Sequence, residues 1–309
     1  MLIGGIEAGG TKMVCAVAEV EKPVAGNSGK GIACAKILDR IAIPTRQPED
    51  TLPEMIAYFK KWDIEALGIA CFGPIDLNRE SKSYGYITKT PKPGWTDCDM
   101  VGSFKENLKI PVGFDTDVNG AILGEVTWGA AQGCDNAIYI TIGTGIGVGV
   151  YCNGALVHGL VHPEAGHLLL EKHPADTYKG HCPFHLNCVE GLASGPAVEE
   201  RWGKKAIELS DKPEVWEMEA YYIAQAVANY ILMYSPQKII LWGGIMHQKQ
   251  LFDMVRAKVK ELLNGYVHHK SLEEQIDQYI VAPALGENSG ILGAIQLGRI
   301  EQEEKKVIF

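Results

Sequence analysis

The sequence predicts an α/β protein built from two related lobes around a cleft. The chain begins with short β-rich runs, its hydrophobic pattern then alternates between strand and helix periods, and the element order βββαβαβα occurs twice. With 309 residues, of which 46% are hydrophobic, the chain is long enough to form more than one hydrophobic core of average size. A doubled α/β unit is therefore the predicted architecture.

The first copy opens with three strands joined by loops, one of them at residues 26–31, which predicts an antiparallel meander. Apolar residues from Leu52 to Phe59 then recur at i, i+3, i+4 and i+7, the spacing of a helix face. The final helix is expected to begin at Asp117, since Asp is a good N-cap. The eight predicted elements are residues 3–7, 13–20, 34–43, 49–62, 66–72, 98–108, 112–115 and 117–127.

The second copy repeats this order, with Asn153-Gly154 marking a tight hairpin turn. Its predicted elements are residues 137–142, 146–151, 155–158, 213–234, 239–242, 248–263, 278–282 and 289–300. An insertion at 159–195 interrupts it. We expect an N-terminal lobe of residues 1–116, with a C-terminal helix of residues 289–309 packing back on it. A C-terminal lobe of residues 117–288 would carry the insertion.

Composition excludes several classes of protein. The formal charge of −9 and the lack of a basic cluster argue against binding to nucleic acid or a membrane surface. The sequence has no signal-peptide pattern at its start and no apolar run long enough to span a membrane. Most of the eight cysteines lie singly in apolar runs, as reduced thiols do. We expect a cytoplasmic protein.

Three Gly-rich turns are candidate phosphate sites, because their backbone N–H groups can approach an anion closely. The first two occupy matched positions in the two copies, which favours one joint role over two ordinary hairpins or bulges. The third follows a strand and is equally compatible with a plain turn. The candidate residues are Gly9, Gly10, Thr11, Lys12, Gly143, Thr144, Gly145, Gly243 and Gly244.

The run Asp115-Thr116-Asp117-Val118-Asn119 joins a strand end to a helix start. A carboxylate there could hold a hydroxyl and accept its proton, and phosphoryl transfer needs a base positioned in this way. The alternative for Asp117 is a simple helix cap.

The insertion carries a candidate zinc site. Cys182, His185 and Cys188 have the spacing of metal ligands, and a fourth ligand would close a tetrahedral shell. His167 is the proposed fourth ligand, with His173 and His181 as competitors. A disulfide between the two cysteines is the alternative. Four protein ligands would leave no open position, which indicates a structural role for the zinc.

Glu164 and Glu190 flank this zinc loop and are candidate acceptors for substrate hydroxyls, the alternative being solvated surface carboxylates. Trp95 could face a sugar, although a core position is commoner for Trp.

In combination, these motifs resemble the ROK family of sugar kinases and regulators from Gly4 to about Gly298. The usual ROK zinc loop has three cysteines, and His185 replaces one here. Together with the upstream run from His162 to His167, this variant resembles the bacterial fructokinase branch. Glu7 stands where an Asp is common in the first phosphate loop, which leaves its role in positioning a metal-bound nucleotide open.

The resemblance implies an actin-like, ribonuclease-H-like ATPase fold, ATP with Mg²⁺ as phosphoryl donor, a hexose acceptor and a homodimer. By matched position, Asp117 becomes the base for the sugar's 6-hydroxyl. The sugar-binding positions are Asn119, Glu164, His167 and Glu190, with His167 also a zinc ligand. The ATP contacts are Thr11, Thr144, Pro196 and Gly244.

The resulting hypothesis is an ATP-dependent fructokinase that makes fructose 6-phosphate. A kinase for mannose or glucose is the nearest rival, since these sugars differ in one or two hydroxyls. A sugar-responsive transcriptional regulator is a rival of another class. It would carry a helix-turn-helix region ahead of the first phosphate loop, which begins here at Gly4, and the acidic charge also argues against DNA binding.

Overall fold

The computed structural model describes residues 1–21 and 35–307. Its strands are β1 (Leu2–Ala8), β2 (Lys12–Glu19), β3 (Lys36–Pro44), β4 (Ala66–Cys71), β5 (Tyr86–Ile87), β6 (Cys98–Asp99), β7 (Val112–Thr116), β8 (Ala137–Ile142), β9 (Ile146–Cys152), β10 (Ala155–Leu156), β11 (Lys238–Trp242) and β12 (Ile280–Val281). Its α-helices are α1 (Pro48–Phe59), α2 (Met100–Leu108), α3 (Asp117–Trp128), α4 (Val189–Ala193), α5 (Gly195–Trp202), α6 (Pro213–Tyr234), α7 (Gln250–Leu263), α8 (Lys270–Glu273), α9 (Ile276–Tyr279) and α10 (Ser289–Val307). Within these described residues, no helix is long and apolar enough to cross a membrane.

The chain forms two compact units. Unit 1 comprises Met1–Gly133, Leu156–His162 and the C-terminal segment from Ala284, and unit 2 comprises Cys134–Ala155 and Pro163–Pro283. The unit 1 sheet has the order β3-β2-β1-β4-β7, and the second sheet has the order β10-β9-β8-β11-β12. Two sheets of matching order show the predicted internal repeat in three dimensions.

In unit 1, β1 and β2 are antiparallel, as are β2 and β3, so the meander is confirmed for the described residues. β1 and β4 pair in parallel, as do β4 and β7. On one face of this sheet, Phe59 of α1 and Phe104 of α2 pack in one buried apolar cluster with Trp95. Trp95 is fully buried and is therefore a core residue. The indole Nε1 of Trp95 donates to the carbonyl of Arg46 at 2.8 Å.

The other face of the unit 1 sheet is covered by α10 and α3. The two helices cross closely: a Cβ at Gly293 would lie 1.6 Å from the carbonyl oxygen of Gly120. Only a residue without a side chain permits this approach. The packing holds α3, and with it Asp117, against the end of the sheet. It also places α3 in unit 1, so the boundary falls after Gly133, not after residue 116 as expected.

Glu125 fixes the junction of α3 and α10. It is fully buried and accepts hydrogen bonds from four donors. One oxygen accepts from the N–H groups of Ala130 and Ala284, and the other from the N–H of Leu285 and the hydroxyl of Ser289, at 2.6–3.1 Å. A carboxylate is the side chain that offers only acceptors to such a set.

We expect Glu125→Gln to lower the free energy of unfolding by about 2–4 kcal/mol, because the new NH₂ group would face backbone donors. Glu217→Gln, an exposed Glu of α6, is the control and should change it by less than about 0.5 kcal/mol. Urea unfolding measures both variants. Equal, small effects would show that the buried carboxylate is not required.

In unit 2, β8 and β9 are antiparallel, and β11 pairs in parallel with both β8 and β12. The long helix α6 packs against α7 and α4. A buried guanidinium, that of Arg201 in α5, pairs with Asp176 at 3.2 Å and Glu219 at 3.3 Å, and donates to the carbonyl of Leu192 at 2.7 Å. This cation joins the loop before α4 to three helices and so stiffens the insertion.

Most predicted spans agree with the observed elements to within a few residues. Four differ: the predicted strands 155–158 and 278–282 shrink to Ala155–Leu156 and Ile280–Val281, the helix predicted from residue 98 begins at Met100, and α10 continues past residue 300 to Val307. Residues 301–306 are good helix formers, which explains the longer α10. The loop predicted at 26–31, the first residue of the strand predicted at 34–43, and residues 308–309 lie outside the described residues.

Candidate functional site

The start of α3 places Asp117 at the end of β7, in unit 1. Thr116, and not Asp117, is the N-cap: its hydroxyl accepts from the backbone N–H of Asn119 at 3.1 Å. The expectation that Asp117 caps the helix is therefore wrong, because the preceding Thr already satisfies that donor. Asp117 is the first helical residue, and its carboxylate accepts from the N–H of Val118 at 2.9 Å. Capping does not explain an acid at this position.

Asn119 lies two residues further on and is almost fully buried. Its side-chain Nδ2 donates to Oδ1 of Asp115 at 2.8 Å, and the backbone N–H of Thr116 donates to the same oxygen at 2.8 Å. The second oxygen of Asp115 lies 2.8 Å from Nε2 of His158. The predicted base and the predicted sugar-binding amide thus share one short, hydrogen-bonded helix start.

Glu7, at the end of β1, is the second carboxylate of this region. Burial raises its pKa to about 7, and the negative charge of Asp117 adds to the rise. Its side chain packs against the start of α10, where a Cβ at Gly290 would lie 2.6 Å from Glu7 Oε1. Two like charges held together favour a bound cation, and oxygen ligands suit Mg²⁺.

Without nucleotide or divalent metal, Glu7→Gln is expected to stabilise the protein at pH 8 by about 2 kcal/mol, because it removes a poorly solvated charge. The raised pKa means that folded Glu7 binds a proton more tightly than unfolded Glu7. Stability is therefore lost as the pH rises from about 4.5 to about 7. Thermal unfolding should show a gain in Tm at pH 8 that shrinks at pH 5. Glu19→Gln, an exposed Glu at the end of β2, is the control, and the same Tm shift at both pH values would contradict the assignment.

The first Gly-rich turn joins β1 to β2 and is held by hydrogen bonds from residues elsewhere in unit 1. Gly9 N–H donates to the carbonyl of Lys12 at 3.0 Å, and the Thr45 hydroxyl donates to the carbonyl of Gly9 at 2.7 Å. The ammonium of Lys92 donates to the carbonyl of Gly10. Gly10, Thr11 and Lys12 themselves are exposed. The turn is thus held in shape while its tip stays open to a ligand.

The second and third Gly-rich turns meet within unit 2. Gly195 N–H, at the start of α5, donates to the carbonyl of Gly143 at 2.8 Å. Gly243 has a φ of 102° and packs against the backbone of Ile142. The structure therefore brings together the predicted nucleotide contacts of this unit, which are Gly143, Thr144, Gly145, Pro196, Gly243 and Gly244.

Glu190 links the second turn to the insertion. Its Oε2 accepts from the N–H of Ile146 at 3.0 Å, and a Cβ at Gly145 would lie 2.8 Å from that oxygen. Its Oε1 lies 4.0 Å from Nε2 of His167. Glu190 is thus a fixed side chain, and not the freely solvated carboxylate that the sequence allowed.

Glu164, three residues before His167, is exposed and accepts the His167 N–H through its carbonyl at 3.0 Å.

The four predicted zinc ligands converge in unit 2. The ligand atoms of His167, Cys182, His185 and Cys188 all lie within 4.8 Å of one another. Nδ1 of His167 is 3.7 Å from the sulfur of Cys182 and 3.5 Å from that of Cys188, and Nδ1 of His185 is 3.9 Å from Cys182. Zinc–sulfur and zinc–nitrogen bonds in a tetrahedron place such atoms about 3.5 Å apart. This donor set fits zinc.

The alternatives for this site do not match the geometry. Cys182 and Cys188 are free thiols, without a disulfide. His181 lies 2.8 Å from a carboxylate oxygen of Glu200, and His173 accepts from the N–H of Ala175 and makes an edge-to-face contact with Tyr221. Of the three histidines considered as fourth ligand, His167 is the one that faces the thiols.

Sequence reasoning missed His158, His162 and Glu125. His158 contacts Asp115 across 43 positions, and His162 accepts from the N–H of Ile75 across 87. No local spacing could have linked these pairs. For His158, the available signal was a histidine at the last position of the predicted strand 155–158.

The sequence is similar to known proteins over nearly its whole length. The ROK family model matches residues 3–300. A Bacillus subtilis (strain 168) protein, named as a candidate fructokinase, is 50% identical over 296 residues, which cover 96% of this chain and 95% of that protein. The fructokinase of Pediococcus pentosaceus is 44% identical over 97% of this chain and 98% of its own.

Solved protein structures have the same fold as this chain. The ROK hexokinase of Thermus thermophilus superposes with a TM-score of 0.79, at 24% identity, over 98% of this chain and 100% of that one. This likeness confirms the predicted actin-like fold. With a family model that spans nearly the whole sequence, this chain belongs to the ROK family.

Proposed function

We propose that this protein is a fructokinase that transfers the γ-phosphoryl group of ATP to the 6-hydroxyl of fructose. The choice of sugar is supported by relatives named fructokinase that are 39–50% identical over at least 95% of the chain. The observation that carries the chemistry is the start of α3, where an acid that is not the helix cap stands beside a buried, oriented amide.

Asp117 is the proposed general base. In phosphoryl transfer, the protein positions and deprotonates the acceptor hydroxyl, and most of the remaining work is electrostatic. Asp117 would accept the proton of the sugar's 6-hydroxyl as the oxygen attacks phosphorus. Asn119 would bind a neighbouring sugar hydroxyl through the end of its amide that is not bound to Asp115.

Unit 2 supplies the remaining proposed sugar ligands, Glu164, His167 and Glu190. Glu190 is held by its hydrogen bond to the backbone of β9, and His167 is held within the zinc-ligand cluster. Side chains fixed in this way lose little entropy on binding a sugar.

The proposed ATP contacts are the Gly-rich turns. In unit 1 these are Gly9, Gly10, Thr11 and Lys12, and in unit 2 they are Gly143, Thr144, Gly145, Pro196, Gly243 and Gly244. Backbone N–H groups at the exposed positions of these turns, such as Gly10, Thr11, Thr144 and Gly145, can offset the negative charge of the phosphates together with Lys12. Mg²⁺ bound to ATP would offset charge on the transferred group. The carboxylate of Glu7 suits this ion, which leaves that of Asp117 free for the sugar's hydroxyl.

Zinc is proposed as a structural ion held by His167, Cys182, His185 and Cys188. All four positions of a tetrahedron are taken by protein atoms, so no site is left for substrate. Its proposed effect is to fix the insertion. Nε2 of His167 faces Glu190, as outer groups commonly face the second nitrogen of a zinc-bound histidine. The homodimer stays a prediction.

The test is an ADP-release assay with MgATP against fructose, mannose and glucose. We expect kcat/KM to be highest for fructose. A preference for mannose or glucose would move the specificity and keep the mechanism. Binding of sugar without turnover on any of the three would favour a regulator, a role that also exists among relatives named xylose repressor at 27% identity.

A further inference from the structure

A buried carboxylate that the proposed reaction does not use lies beneath the sugar-binding amide. Asp115 is 3% exposed and is contacted by three donors, each at 2.8 Å. Two of these donors are local, the N–H of Thr116 and Nδ2 of Asn119. The third, His158, comes from the segment Leu156–His162, which joins unit 1 from a distant part of the sequence.

The contact defines the protonation of His158. An ionised carboxylate only accepts, so Nε2 of His158 must carry a proton and donate it to Oδ2 of Asp115. The hydrogen bond to Asp115 raises the pKa of His158. Nε2 of His158 also lies 3.5 Å from Nδ2 of Asn119. Both nitrogens are donors here, so they converge on Asp115 and do not bond to each other.

Asp115 sets the orientation of the Asn119 amide. An Asn side chain has a donor end and an acceptor end of nearly the same shape, and a rotation of 180° exchanges them. Because Nδ2 is committed to Asp115, Oδ1 faces the opposite side and can accept a sugar hydroxyl. If Asp115 rotated away, the amide would lose the partner that distinguishes its two ends.

His158 holds Asp115 in turn. Oδ1 of Asp115 accepts from two local donors, whereas the side chain that donates to Oδ2 is His158. Leaving a buried carboxylate oxygen without a donor costs free energy, which rotation of the carboxylate could reduce at the expense of Asn119.

We infer that His158 is a positioning residue: it donates to Asp115, and Asp115 in turn fixes the amide of Asn119 for a hydroxyl of the sugar. This inference rests on the proposed function of Asn119. His158 touches neither the sugar nor the transferred phosphoryl in this scheme. Its effect should therefore appear in sugar affinity.

The surroundings of His158 allow it to be replaced without unfolding the protein. Its side chain is 42% exposed and borders a cavity of about 290 Å³. Arg79, Tyr84 and Glu301 line the same cavity, and Arg79 pairs with Glu301 at 2.9 Å. A side chain of similar size has room here, and little apolar burial is lost.

The test compares His158→Leu with His158→Gln. Gln can place an N–H where Nε2 of His158 stands, and Leu cannot. We expect His158→Leu to raise the KM for fructose about tenfold, because one charge-assisted hydrogen bond of the chain is lost. His158→Gln should stay within about threefold of the wild type. The KM for ATP should be almost unchanged in both variants, the Tm should be almost unchanged in His158→Gln, and His158→Leu should lower the Tm by no more than a few degrees.

A double-mutant cycle identifies the route of the effect. If His158 acts through Asn119, then His158→Leu should add little to the loss of fructose affinity caused by Asn119→Ala. Fully additive losses would contradict the inference. A wild-type KM for fructose in His158→Leu would also contradict it, as would equal damage in the Leu and Gln variants with a fall in Tm.

Failure of the proposed function would give a different experimental result from failure of the inference about His158. The wild-type protein would then show no fructose binding by calorimetry and no turnover. If the wild type is active and His158→Leu matches it, the inference about His158 fails alone.

Discussion

Asp117→Asn is expected to lower kcat by a factor of about 10²–10⁴ while the KM for fructose changes only a few-fold. The amide keeps the size of the side chain and its hydrogen bond to the N–H of Val118, but it cannot take a proton. Because Thr116 caps α3, the fold does not depend on this charge. Steady-state kinetics with fructose and MgATP, together with calorimetric binding of fructose, separate the two effects.

The matched control is Asp99→Asn. Asp99 also stands at a helix start, where its carboxylate caps α2 by accepting from the N–H of Gly102 at 2.7 Å. Asn is an equally good cap, so this variant should keep its activity and its Tm. A near-wild-type kcat in Asp117→Asn would remove Asp117 from the role of base.

The second large effect is expected from Cys182→Ser. We expect about one zinc per chain in the wild type by elemental analysis and almost none in this variant. Structural zinc contributes free energy on the order of 10 kcal/mol in small zinc-binding peptides, and here it would hold an irregular segment between β10 and α4. Loss of the ion should lower the Tm by several degrees or more and reduce fructose turnover at least tenfold, because His167 loses the ion that fixes it and Glu190 loses a fixed histidine beside it.

Cys152→Ser provides the control for the zinc prediction. Cys152 is a free, partly buried thiol at the end of β9 and is not one of the four clustered ligands. This variant should keep its zinc and its activity. If metal-free Cys182→Ser protein had the Tm and the turnover of the wild type, the four side chains would not form a zinc site.

The repeated architecture and the zinc cluster could be predicted from sequence because their signals are local. The helix period from Leu52 to Phe59 and the Asn153-Gly154 turn each depend on neighbours in the chain. The spacing of Cys182, His185 and Cys188 is equally local, and the choice of His167 as fourth ligand matches the geometry.

The connections that support the site could not be predicted in the same way. The pairs Asp115–His158 and Glu125–Ser289 join residues 43 and 164 positions apart. They depend on how α3, α10 and the segment after β10 pack in three dimensions. The cap of α3 was misassigned for a different reason: Thr116 and Asp117 are both good caps, and only the backbone geometry distinguishes them.

The most direct test of the account is to identify the product by NMR. The protein would be incubated with MgATP and fructose labelled with ¹³C at C6. We expect one phosphorylated product in which C6 is coupled to phosphorus, because the account places the 6-hydroxyl at Asp117. A product phosphorylated at another carbon, or ADP formed without any sugar phosphate, would contradict it.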